Sequence, residues 1–96
     1  MMLHLLNRSP QFDGLYWDLS EAFGADDHLL LIEDACYAAL PAAAASLAAF
    51  GGRVSVLSED AESRGLLGRL SDDVALVDMA GFVALTATFP HSLSWF

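Results

Sequence analysis

Four short runs of Leu, Ile and Val, separated by helix-like sequence, decide what this chain can fold into. They are Met2–Leu6, Leu29–Glu33, Arg53–Leu57 and Val74–Val77. The runs are apolar almost throughout and do not alternate with polar residues. Strands of that kind are buried on both faces, as in a parallel sheet covered by helices. Strand–helix alternation with short connections implies βαβ units. The expected fold is therefore α/β: one doubly wound domain over residues 1–96, with a mostly parallel sheet of four to five strands. The fifth strand is expected at Leu93–Trp95.

The intervening segments carry helix signals. In Gln11–Phe23, Phe12, Leu15, Leu19 and Phe23 recur at helical spacing, and Gly24 stands at the expected C′ position. Asp34 is placed to cap a short turn, Ala35–Leu40. Pro41 suits the first position of a helix over Pro41–Phe50, which Gly51 and Gly52 would end. Ser58 is placed to cap Glu59–Arg64, whose acidic first turn suits the helix dipole and which Gly65 would end. Asp78 is placed to cap Met79–Thr86.

Composition narrows the function. Of 96 residues, 55% are hydrophobic, more than a small monomer usually needs. The excess has two readings: a sheet buried on both faces, or a surface meant for a partner. No run approaches the roughly 20 apolar residues that span a bilayer, and the N-terminus lacks the basic start of a secretory signal. One cysteine, Cys36, cannot form an internal disulfide, which fits a reducing cytosol. Thirteen acids stand against four Arg and no Lys, for a net charge of −9. Nucleic-acid binding rests on Lys and Arg neutralising phosphates, so the chain is not expected to hold RNA directly.

The candidates for chemistry are few. Asp34, Asp60 and Asp78 lie where strands give way to helices, the edge at which open α/β sheets bind ligands. Capping and first-turn charge also explain them, and no His accompanies them at ligand spacing. His4, His28 and His91 are scattered and pair with no nucleophile. Neither G-x-G-x-x-G nor G-x-x-x-x-G-K-[ST] occurs, and no cofactor or metal is expected. Cys36 follows a buried strand, where a helix start would favour thiolate, but Glu33 and Asp34 beside it oppose that. It is either a sulfur carrier or a small packed hydrophobe. Trp95 and Phe96 must be anchored, either in the chain's own core or in a partner.

Several stretches together resemble the TusB/DsrH family, within the DsrE-like superfamily. The opening Met2-Leu3-His4-Leu5-Leu6-Asn7-Arg8-Ser9-Pro10 looks like LH-x-L-x-R/K-S-P. LLLIEDACYAAL, Leu29–Leu40, resembles the second strand and turn. Leu57–Leu66, with Asp60, Arg64 and Gly65, resembles L-x-x-D-x-x-A-R-G, and Val77–Thr86, with Asp78 and Phe82, resembles V-D-x-x-x-F-V-x-L-T. Trp95 matches a terminal tryptophan. The match spans nearly the whole chain, in order.

The resemblance, and nothing in composition or spacing, implies sulfur transfer. It implies a DsrE-like, flavodoxin-like domain in a heterohexamer with TusC-like and TusD-like subunits, between TusA and TusE, leading to 2-thiouridine at the tRNA wobble position. The relay cysteine of that complex belongs to the TusD-type subunit, so the chain is not expected to be an enzyme by itself. DsrH-type relatives work in dissimilatory sulfur oxidation and carry a cysteine in the first helix. Leu15–Ser20 has none, which favours the TusB branch. No family role carries over to Cys36.

Overall fold

A computed structural model describes all residues from Met1 to Phe96. In chain order the elements are β1 (Leu3–Leu6), α1 (Asp13–Ala22), β2 (His28–Leu31), 3-10 turns at Glu33–Ala39 and Pro41–Ala43, α2 (Ala44–Leu47) and a 3-10 turn at Ala48–Phe50. Then come β3 (Val54–Leu57), α3 (Ser58–Ser63), β4 (Ala75–Val77), α4 (Met79–Thr88) and β5 (Ser92–Trp95). The five strands form one sheet in the order β4-β3-β2-β1-β5, and every pairing is parallel.

This order explains the two helical layers. The steps β1→β2→β3→β4 all move one way across the sheet, while β4→β5 returns past all of them. Crossovers of one hand then fall on opposite faces. His4 and Leu6 pair with Leu29 and Leu31, which pair with Val54 and Val56, so these six side chains share one face. On that face Leu6, Leu29, Leu31, Val54 and Val56 pack with Tyr16 and Leu19 of α1, with Ala35, Cys36, Ala38 and Ala39, and with Phe50. The other face presents Leu3, Leu30, Ser55 and Leu57, all buried.

α4 crosses that second face. β4 and β5 are four inter-strand steps apart, roughly 19 Å, and a ten-residue helix covers about 15 Å of it. The Phe89 ring, just after α4, lies 5.9 Å from the His28 ring on this face. Leu30 is fully buried in the central strand. Each such leucine contributes about 2 kcal/mol by leaving water.

Several local readings change. The strand expected at Leu29–Glu33 runs from His28 to Leu31, because Glu33 turns into a left-handed conformation, φ 49°. The helix expected over Pro41–Phe50 is broken, with Pro41 at its start as expected. Leu47 ends α2 and Phe50 ends the closing 3-10 turn three residues later; Phe50 is fully buried in the core and Leu47 packs against it half-buried. Gly24 has no positive φ; its N–H donates to Asp27 Oδ2 at 2.8 Å instead. Ser58 does not cap α3, since its hydroxyl donates to Glu59 Oε1 at 2.8 Å. Asp34 lies inside its turn and makes no cap. Gly51 and Gly65, with φ of 61° and 70°, do supply left-handed helix ends.

Candidate functional site

The carboxyl ends of β2, β3 and β4 carry a network of acids. Arg64 Nε donates to Asp34 Oδ1 at 3.1 Å, and Asp60 Oδ2 accepts the Glu33 N–H at 2.8 Å. That bond holds Glu33 in its left-handed conformation. Glu59 Oε2 accepts the Met79 N–H at 3.0 Å, and Asp78 Oδ1 accepts the Gly81 N–H at 2.8 Å. Those two bonds satisfy donors that α4 leaves open at its N-terminus. Hydrogen bonds from Ser58 and from the Glu59 and Met79 backbone hold the Glu59 carboxyl below its usual range. Each acid answers a backbone donor or an arginine, which is a fastening role.

Cys36 lies beneath this network, fully buried among the core residues. Its Sγ faces the Leu31 carbonyl at 3.9 Å. Burial, reinforced by Asp60, pushes the thiol up to about 12. At neutral pH such a group is a protonated thiol that packs as a small apolar side chain.

A second polar network was not legible in the sequence. His4, on the core face of β1, is 1% exposed. Its Nε2 lies 2.8 Å from Asp27 Oδ2, and Trp95 Nε1 donates to its Nδ1 at 3.0 Å. An indole N–H only donates, so His4 Nδ1 accepts and Nε2 carries the proton given to Asp27. Asp27 also accepts the Met2 and Gly24 N–H groups at 3.0 and 2.8 Å. Burial opposes its charge, but these hydrogen bonds outweigh burial and hold the carboxyl below its usual range. Arg53 pins the same loop through the Gly24 and Ala25 carbonyls and stands over the Phe23 ring. Trp95 is thus tied into the core, whereas Phe96 is 61% exposed.

The remaining motif positions are spread apart. Arg8 is exposed, 5.2 Å above the Phe12 ring, and its carbonyl accepts the Tyr16 hydroxyl at 2.7 Å. The Ser9 carbonyl accepts the Phe12 N–H, fixing the entry to α1 after Pro10. Phe82 is half-buried on α4. No arrangement unites these residues into one reactive centre.

The apolar surface is more telling. α4 is hydrophobic around its circumference, yet none of its residues is buried. A helix apolar on all sides normally sits inside a larger structure. Here Met79 and Val83 stand open to solvent beside Leu76 of β4, and Phe12 and Trp17 are exposed near α1. No helix is long and apolar enough to cross a membrane.

Comparison with known proteins gives the family. Protein TusB of Escherichia coli strain K12 is 39% identical over 99 residues, covering 98% of this chain and all of that protein. Protein TusB of Escherichia coli O81, strain ED1a, is 38% identical with the same coverage. The family described as DsrH like protein matches residues 8–92. With that match spanning most of the sheet and every helix, the chain belongs to the DsrH-like protein family.

Proposed function

We propose that this chain is a non-catalytic subunit of a TusBCD-like sulfur-relay complex in the cytoplasm, required for 2-thiolation of the tRNA wobble uridine. The full-length likeness to Protein TusB carries this reading. The exposed apolar α4 supports it, because such a face is suited to burial against other subunits. The partners are TusC-like and TusD-like subunits in a heterohexamer, receiving sulfur from a TusA-like donor and passing it toward a TusE-like acceptor. The relay cysteine sits on the TusD-like partner, and Cys36 of this chain packs. The net charge of −9 supports leaving the tRNA to another component.

The test is to delete the chain from its host and measure wobble 2-thiouridine by mass spectrometry of digested tRNA. The nucleoside should disappear and return with the wild-type chain or with Cys36→Ala. Unchanged 2-thiouridine in the deletion strain would overturn the role. Restoration by the wild-type chain but not by a folded Cys36→Ala protein would make Cys36 a carrier.

A further inference from the structure

β4 is one edge of the sheet, so its outer row of backbone N–H and C=O groups has no strand partner. Natural edges are usually guarded by Lys, Pro, a bulge or a covering loop. β4 is Ala75-Leu76-Val77, with none of those residues, and its Leu76 side chain is 53% exposed. Ser58, Leu76, Val77, Asp78 and Gly81 line a groove of about 410 Å³ at the carboxyl end of this strand, beside the start of α4. The opposite edge, β5, is more polar: exposed Ser92 and Ser94 alternate with Leu93, 42% exposed, and Trp95, which packs inward.

The surrounding charge selects the occupant. Asp72 and Asp73 precede β4, Asp78 follows it, and Glu59 lies beside it; all four are exposed. Arg69 is the only cation between Gly65 and Asp78. A second copy pairing antiparallel with β4 would set Asp73 of each chain near Asp78 of the other, and like charges across a strand pair repel. A segment with basic ends meets the opposite situation.

We infer that the outer edge of β4 accepts an added strand from a partner protein, an extended segment apolar in its middle and flanked by Lys or Arg. This deepens the subunit reading above and rests on it. Main-chain hydrogen bonds to β4 supply the attachment, Leu76 and Val77 contact alternate side chains, and the acids set direction and preference.

The test uses the full chain, ¹⁵N-labelled, titrated with a short peptide of alternating Val and Thr bearing two Lys at each end. Amide shifts and slowed hydrogen exchange should centre on Ala75, Leu76 and Val77. A peptide with Glu in place of Lys should bind at least about tenfold more weakly at low salt, and the Asp72→Lys/Asp73→Lys chain should lose most of that preference. A peptide N-methylated on every amide should not bind. Shifts absent at saturating peptide, shifts centred on β5, or equal binding of the N-methylated peptide would each overturn the inference. If any of these occurs while a tagged chain still co-purifies with TusC-like and TusD-like proteins, the edge fails and the subunit role stands.

Discussion

Trp95 Nε1 donates to His4 Nδ1 across 3.0 Å, joining β5 to β1 although 91 positions separate the two residues. The bond makes the last tryptophan part of the fold and fixes which nitrogen of a buried imidazole bears the proton. Trp95→Phe keeps most of the packing but leaves that nitrogen without a donor. The expected loss is about 1–3 kcal/mol, the cost of an unsatisfied buried acceptor. Urea unfolding checks it, and a cycle with His4→Phe should show the two effects to be non-additive.

Acid should weaken the fold in two separate windows. Burial, with the Arg53 charge second, lowers the His28 pKa from 6.5. A base depressed in the native state binds more protons when unfolded. Its stabilisation is complete above about pH 6.5 and falls as pH drops below that toward the folded value. Asp27 is depressed as an acid, so its contribution is present above 3.8 and is lost as pH falls through its folded value. Unfolding free energies measured from pH 8 to 5 should decline, and His28→Gln should remove the part of that slope below 6.5. An unchanged slope in the variant would refute the assignment.

How much the sequence disclosed depends on the range of the interactions. The strands were legible because a doubly covered parallel strand must be apolar along its length, as at Leu29–Leu31 and Val54–Leu57. Asp78 as a cap was legible because its partner, Gly81, is three residues away. The pair Asp27–His4 was not, since 23 positions separate the residues, and the opening motif that contains His4 does not point to Asp27. Ser58 and Asp34 looked like caps from local spacing, but Glu59 and Arg64 offered nearer partners in space. The alanine-rich stretch Pro41–Phe50 has strong helical propensity, yet placing Leu47 and Phe50 in the core prevailed over it.

Cys36 should behave as an inert thiol. With the group pushed up to about 12 and no exposure, thiolate at neutral pH is scarce. Alkylation of the native chain by iodoacetamide at neutral pH should run at least about 100-fold slower than in urea, where the thiol regains an ordinary value near 8.5. Native labelling at the unfolded rate would contradict the packing role.

Glu33 is the one non-glycine residue with positive φ. That conformation costs an L-residue roughly 1–2 kcal/mol, and here the Asp60 carboxylate offsets it through the Glu33 N–H. Glu33→Gly should therefore leave stability equal or raise it by up to about 1 kcal/mol, despite glycine's greater unfolded-state entropy. Asp60→Ala should lower it by about 1–3 kcal/mol by removing the acceptor. Thermal unfolding of both variants checks the signs, and a marked loss in Glu33→Gly would show that the turn holds no strain.

α4 offers the sharpest separation of folding from assembly. Met79 and Val83 are 48% and 60% exposed, so their side chains contribute little to the isolated fold. Met79→Gln and Val83→Glu keep good helix formers, and surface changes of this kind usually move stability by less than about 0.5 kcal/mol. If α4 is a subunit contact, the double variant should unfold like the wild type yet fail to co-purify with the Tus-like partners proposed above. Loss of a hot-spot side chain at the centre of an interface costs about 2 kcal/mol or more, about thirtyfold in affinity. Normal unfolding with undiminished co-purification would place the contact elsewhere, and a collapsed fold would mean that α4 depends on these side chains before any partner arrives.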